Sequence, residues 1–277
     1  MKCVVSGGTG FLGSYIVKRF QQSNHNVTVW GRKLQFEPNS DFDAVISLAG
    51  EPVAQRWNDE VKQKIRDSRV LGTRNLVEAI SRLPQKPRVL VSASAIGIYG
   101  DRGDEVLTES STPGTGFLVD VCKGWEEEAD RAAEFGIRVM KLRVGFVLGK
   151  DGGALAKILP AFRAFAGGRL GSGKQWMPWI HVADVAELFT YAVENEVSGV
   201  WNATAPNPVR NTQFTESLAS AVRRPALFPV PTIALKLAFG EFAQHMLDSA
   251  RVVPEAALHH GFHFRYPNLK SALQNLL

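Results

Sequence analysis

At 277 residues, 45% hydrophobic and 21% charged, the chain has a globular composition that excludes a disordered chain, a collagen and a coiled coil. No apolar run reaches the ~18 residues needed to cross a bilayer, and Gly7, Gly8, Gly10 and Gly13 interrupt any signal-peptide pattern, so a cytoplasmic protein is expected. The net charge of +5 is spread along the chain, which suits a phosphate-rich small molecule at least as well as nucleic acid.

In chain order, a short apolar strand at 2–6 runs into a glycine-rich turn and a helix at 11–20. Strands follow at 27–30 and 44–48, then one long helix or two shorter ones over 57–81. A strand at 88–92, a Glu- and Ala-rich helix over 117–135 and a strand at 137–143 complete the alternation. Such alternation gives a parallel sheet covered on both faces. Between 149 and 178 Gly and Pro are frequent and strands are hard to find. Beyond lie a helix at 182–194, a strand at 200–203, a helix at 211–223 capped by Asn211 or Thr212, and a mostly helical tail from 231. The expected fold is α/β: a Rossmann-like doubly wound parallel sheet with a smaller, mostly helical C-terminal substrate lobe. The nucleotide-binding domain is expected over 1–150, with 180–205 returning to it. The discontinuous lobe takes 151–277 and includes a helical module over about 232–277. The cysteines, Cys3 and Cys122, are too few for a four-ligand zinc site, and no metal is expected.

Gly7, Gly10 and Gly13 stand at G-x-x-G-x-x-G spacing where the first strand meets the first helix. Gly7 permits a tight turn, Gly10 close approach of a pyrophosphate, and Gly13 close packing of helix on strand. The helix N-terminus favours phosphates. After the second strand the chain reads Trp30-Gly31-Arg32-Lys33, with no acid until Glu37 to bond a ribose. Arg32 and Lys33 would instead pair with a 2′-phosphate, so the expected cofactor is NADP(H); the alternative is two solvated surface charges. Small residues at the third strand's end, Ser47-Leu48-Ala49-Gly50, let the backbone pass the adenosine side, unless they form a simple turn.

At these residues the chain resembles the extended short-chain dehydrogenase/reductase superfamily, and within it the YfcH-like NAD(P)-dependent epimerase/dehydratase proteins. The matching segments include Ser6-Gly-Gly-Thr-Gly-Phe-Leu-Gly13, Asp43-Ala-Val-Ile-Ser-Leu-Ala-Gly-Glu-Pro52, Ser68-Arg69 and Ser92-Ala-Ser-Ala-Ile-Gly-Ile-Tyr-Gly100. Trp125-Glu126, Leu142-Arg143, Gly171 to Asp184 and Pro208-Val-Arg-Asn211 follow. The resemblance implies NADP(H) on the doubly wound sheet and a small-molecule substrate in a cleft beneath the C-terminal lobe. Carried over by position, Thr9, Gly10, Phe11 and Leu12 face the pyrophosphate, Arg32 the 2′-phosphate, and Leu48, Ala49 and Gly50 the adenosine. Lys64, Arg69, Ser92 and Arg143 are further lining candidates.

Redox members of this superfamily use a Tyr and a Lys four residues later, which one helical face presents together. No tyrosine here fits. Tyr15 lies on the cofactor helix, Tyr99 and Tyr191 precede Gly103 and Asn195, and the Tyr266–Lys270 pair falls in the tail across Pro267. Lys123 sits near the expected lysine, but Val119 stands four residues before it. The remaining catalytic candidates are Ser94, Tyr99 and Lys123. Ser94 orients a substrate oxygen or caps a turn. Tyr99 supplies a proton or packs on the sheet with its hydroxyl near water. Lys123 bonds the nicotinamide ribose or lies on a solvated helix face.

Trp176, Met177, Pro178, Trp179 and His181 cluster in the second lobe, as an apolar substrate wall with His181 as acid or base, or as domain-junction packing. Arg210 binds an acidic substrate group or is a surface residue at a helix start. Two functions remain open: an NADP(H)-dependent oxidoreductase or nucleotide-sugar epimerase without the usual pair, and a non-catalytic NADP(H)-binding sensor. The sequence leaves substrate and oligomeric state open, and offers no aromatic-basic motif for nucleic acid.

Overall fold

A computed structural model of the chain describes residues 1–31 and 41–277. Among them, six strands form one parallel sheet: β1 (Lys2–Ser6), β2 (Asn26–Trp30), β3 (Ala44–Ser47), β4 (Val89–Ala95), β5 (Arg138–Val144) and β6 (Gly199–Ala203). Their order is β6-β5-β4-β3-β1-β2.

Alternation of side chains along the strands decides which helix meets which face. Cys3, Val5, Ile46 and Val91 pack with Ile16 and Phe20 of α1 (Phe11–Gln22). Val4, Val45 and Leu90 turn the other way, onto Leu76, Val77 and Ile80 of α2 (Asp59–Ser81) and Ala129 of α3 (Phe117–Asp130). A sheet covered on both sides has no solvent face, so residues 3–5, 44–46 and 89–91 are each a continuous apolar run.

The helix expected over 57–81 is a single element that starts at Asp59. Asn58 accepts from the Val61 amide at 2.8 Å, and Asp59 and Glu60 complement the positive helix end. The 117–135 segment is α-helical to Asp130 and then a 3₁₀ turn, Arg131–Phe135, closed by Gly136 at φ +76°. The Gly- and Pro-rich stretch hides a helix, α4 (Gly153–Arg163), which carries Pro160 inside it. After α5 (Val182–Glu194), which packs on α1, comes α6 (Asn211–Val222). The residue before α6 is Arg210, whose amide is bonded by the Gln213 side chain at 3.0 Å; Asn211 accepts from the Leu170 amide instead.

The C-terminal residues supply α7 (Thr232–Phe239), α8 (Phe242–His245), α9 (Glu255–His259) and α10 (Leu269–Leu276). Leu269 and Leu273 of α10 join Leu155 of α4, Phe214 of α6 and Trp179 in a second core. α7 and α8 clasp the segment after β3. Arg56 bonds the Leu237 carbonyl, Lys62 pairs with Glu241 at 2.8 Å, and Trp57 packs on Phe242 and His245.

Candidate functional site

The chain leaves β1 for β2 on one side and reaches β3 on the other. In open α/β sheets a ligand crevice opens at such a switch point, beyond the strands' carboxyl ends. Two backbones meet there. Gly7 has φ +82°, and a Cβ on it would lie 2.9 Å from the Ala49 amide nitrogen. A Cβ on Gly13 would lie 2.2 Å from the Gly7 carbonyl oxygen, so α1 seats on the turn only with glycine at that place. The Gly10 amide closes the turn on the Gly7 carbonyl at 3.0 Å. The first turn of α1 has no side-chain cap and no acid, so its amides and dipole end favour an anion.

Thr9 and Gly10 are exposed beside this turn and Leu12 is half-buried. The Phe11 side chain is turned aside. Its ring fills a slot made by Gly149, Gly152 and Gly153, each of which would place a Cβ within 2.7 Å of it. Only the backbone of Phe11 remains for a phosphate. Nearby, Tyr15 donates to Asp151 at 3.2 Å.

Across the crevice, Leu48 is half-buried, and Ala49 and Gly50 are exposed. A Cβ on Gly50 would stand 3.1 Å from the Arg69 guanidinium carbon. Arg69 donates to the Glu51 and Ile65 carbonyls at 3.0 and 3.2 Å and lies over the Trp125 ring. Burial lowers its affinity for the proton from the usual arginine value. Lys64 is exposed on α2, one turn before Ser68, and is paired with Glu60. The space around Gly31 is open, while Arg32 and Lys33 lie outside the described residues.

The ends of β4 and β5 carry a buried polar chain. Ser94 donates to Glu126 Oε1 at 2.6 Å. The same carboxylate takes Arg143 Nε on Oε1 at 2.8 Å and Nη2 on Oε2 at 2.9 Å. Arg143 Nη1 donates to the Tyr99 hydroxyl at 3.0 Å, and that hydroxyl faces Asn202 Oδ1 at 2.7 Å and the Thr108 carbonyl at 3.0 Å. Burial opposes the charge on Arg143, but its bonds to Glu126 and Tyr99 hold it firmly protonated. Burial raises the Tyr99 pKa above that of a free phenol.

These contacts revise the catalytic expectations. Tyr99 is fully buried, and its hydroxyl meets Asn202 and Arg143 rather than water or a cleft. Ser94 is 3% exposed and committed to Glu126. Ser92 is buried with its hydroxyl on the Ala93 carbonyl, and Arg143 is enclosed rather than lining a surface. Lys123 stands on the solvent face of α3 with Asp120 and Glu127. The α3 positions over the end of β4 are Leu118 and Cys122. A Cβ on Gly97 would lie 3.4 Å from Leu118 Cβ and 3.8 Å from Cys122 Sγ. Burial pushes the Cys122 thiol up to about 12. Neither side chain exchanges a proton at neutral pH.

Sequence reading assigned no role to Glu126 or Asn202. Glu126 was nonetheless detectable, as a charged residue on the apolar stripe of Cys122, Trp125 and Ala129.

The second-lobe candidates separate into two groups. Trp179 is buried with its indole donating to the Asn207 carbonyl at 3.0 Å. His181 accepts from the Ala183 amide through Nδ1 at 3.0 Å and stacks on Tyr266 at 3.9 Å. Burial drives its pKa down to about 4, so it is a neutral packing residue. Trp176 and Arg210 are half-buried and joined. The Trp176 indole and Arg210 Nη2 both donate to Asp104 Oδ1, at 2.8 and 2.9 Å. Arg210 and Arg251 each lie over the Trp176 ring, at 4.6 and 4.7 Å. No group of three His, Cys, Asp or Glu among the described residues could hold a metal.

Sequence comparison places residues 3–204 in the NAD dependent epimerase/dehydratase family and residues 230–276 in a domain of unknown function, DUF1731. An "epimerase family protein SDR39U1 homolog, chloroplastic" from Arabidopsis thaliana is 41% identical over 302 aligned positions, covering 100% of this chain and 87% of that protein. Epimerase family protein YfhF of Bacillus subtilis is 36% identical, with 100% and 98% covered. The crystal structure of human epimerase family protein SDR39U1 (isoform 2) with NADPH is similar over 100% of this chain and 99% of that one, at a TM-score of 0.93 and 32% identity.

Proposed function

The chain belongs to the NAD dependent epimerase/dehydratase family, and from that premise we propose that it holds NADP(H) at the β1/β3 switch point and reduces a small-molecule carbonyl compound there. The carrying observation is the glycine turn, where Gly7 and Gly13 leave no room for a side chain and α1 begins without a cap or an acid. Thr9, Gly10, the Phe11 backbone and Leu12 would hold the pyrophosphate, and Arg69 adds positive charge beside Gly50. NADP(H) is favoured over NAD(H) by Arg32 and Lys33 in the sequence, and by the human relative crystallised with NADPH. When bound, the nicotinamide supplies or accepts a hydride.

Carbonyl reduction and alcohol oxidation are one step run in two directions and share one proton requirement. Epimerisation through transient oxidation needs a base to take a hydroxyl proton. The α3 face over β4 offers Leu118 and Cys122, and Ser94 already donates to Glu126. Solvent water would therefore exchange that proton, as donor in reduction and as acceptor, through hydroxide, in oxidation. The substrate would enter over β4 and β5 past Trp176 and Arg210, with Trp179 and His181 supporting that wall from behind. A cytoplasmic location accompanies this reading.

One observation favours a second reading, an NADP(H)-binding sensor without turnover. Ser94, Glu126, Arg143 and Tyr99 direct their polar atoms at one another and present none of them to a substrate. Calorimetric titration with NADPH and NADH, followed by deuteride transfer from labelled NADPH to a carbonyl panel, separates the readings. NADPH preference with stereospecific transfer supports the reductase. Preference without transfer supports the sensor, and no binding of either nucleotide overturns both.

A further inference from the structure

Five large apolar side chains are far more exposed than the other large apolar residues of the described chain. Phe165 is 61% exposed, Leu227 and Phe228 77%, and Ile233 and Leu237 72%, against 48% for the next, Val106. They lie on two segments that run side by side. The Val230 amide bonds the Arg169 carbonyl at 2.8 Å, the Gly171 amide bonds the Val230 carbonyl at 3.0 Å, and Arg224 lies over the Phe165 ring at 5.1 Å. Ile233 and Leu237 are one turn apart on α7 and share a face.

The charge of these segments is one-sided. Residues 153–176 carry Lys157, Arg163, Arg169 and Lys174, and residues 217–240 carry Arg223, Arg224 and Lys236. Neither contains an Asp or a Glu; Glu216, beside Arg223 and Arg224, and Glu241 stand just outside them. All seven basic residues are exposed, and none has a carboxylate partner among the described residues.

We propose that this face adsorbs reversibly on an anionic lipid surface. The five apolar side chains would enter the headgroup–acyl boundary while the arginines and lysines meet the phosphates. No helix of the described chain is long and apolar enough to cross a membrane, so the mode is surface adsorption. A second copy of the chain is the poorer occupant. A two-fold contact sets each patch against itself and would bring the basic residues of one copy up to those of the other. An acidic surface complements them instead.

The test is co-sedimentation of the full chain with vesicles of phosphatidylcholine alone and of phosphatidylcholine mixed with phosphatidylglycerol, at low and high salt. The expected result is binding to the mixed vesicles only, weakened by salt. A Phe228→Ser/Leu237→Ser variant and an Arg223→Glu/Arg224→Glu variant should each bind about tenfold more weakly, with thermal unfolding reporting that both remain folded. Each pair deletes one component, so the proposal stays testable if either variant fails to fold. It is overturned if the wild-type chain binds neither vesicle, binds both equally, or is matched by a folded variant. It is also overturned if light scattering finds a dimer that Leu237→Ser converts to a monomer.

Discussion

Glu126 of α3 grips Arg143 of β5 through two hydrogen bonds, at 2.8 and 2.9 Å, with both side chains 9% exposed. The pair ties a surface helix to the sheet, one strand in from its edge, at the place where the superfamily's acid–base residues would act. Removing one partner strands a buried charge, which typically costs about 3–5 kcal/mol. Glu126→Gln should therefore lower the melting temperature by roughly 10 °C. The double variant Glu126→Leu/Arg143→Met removes both charges and should recover part of the loss. If the single change leaves thermal unfolding where it was, the pair is not holding α3 to the sheet.

Tyr99 and Lys123 test the same region from the catalytic side. Lys123 stands in solvent on α3, so Lys123→Met should leave cofactor affinity, stability and any hydride transfer as they were. Tyr99→Phe deletes a buried hydroxyl that joins Arg143 to Asn202, and should cost about 1–3 kcal/mol in a denaturant titration. A rate loss at Lys123→Met with unchanged cofactor binding would restore that lysine to the chemistry.

How far these features were legible follows from where their causes lie. The alternation of strands and helices, and the glycine turn, are local patterns, and each sits in the structure at the expected place. The helix of α4 was hidden because glycines and Pro160 mask a short apolar face that Leu155 and Leu159 fill only against Phe214. The meeting of Ser94 and Tyr99 with Glu126, Arg143 and Asn202 joins the end of β4 to three elements more distant in sequence, and no local spacing announces it. The turning of Phe11 into its slot depends on glycines about 140 residues away, visible only once the chain is folded.

The crevice predicts sharply different outcomes for two glycines. Gly13→Ala would put a Cβ 2.2 Å from the Gly7 carbonyl and force α1 off the turn, so NADPH affinity should fall more than tenfold. Gly72, inside α2, has only the Asp67 carbonyl near, at 3.9 Å. Gly72→Ala should stabilise the chain by up to about 1 kcal/mol and leave NADPH affinity unchanged. Calorimetry and thermal unfolding on both variants check the pair.

Arg32 bears on the choice of nucleotide. With no acid after Trp30 until Glu37, its planar cation is the group best suited to a 2′-phosphate. Arg32→Ala should weaken NADPH by about tenfold or more and change NADH little, since one charge-assisted contact is worth about 1.5–3 kcal/mol. An unchanged ratio of the two affinities would move 2′-phosphate recognition elsewhere.

His181 gives the structure a dependence on acid. Its ring is buried against Tyr266, with Nδ1 held by the Ala183 amide, and burial lowers its pKa from 6.5 to about 4, Asn275 favouring protonation and Arg265 opposing it. Between pH 6.5 and 4 the unfolded chain takes up this proton and the folded chain does not. The stabilisation is therefore complete above pH 6.5 and is lost as the pH falls through that window, to a limit of about 3 kcal/mol. Asp184 beside it has a carboxyl pushed up by burial, an effect of opposite sign that wild type and variant share. His181→Asn keeps an acceptor for the Ala183 amide and removes the titration. Melting temperatures against pH should then fall more steeply for the wild-type chain than for the variant between pH 6.5 and 4. Parallel curves would mean that His181 is protonated in the folded state as readily as in the unfolded one.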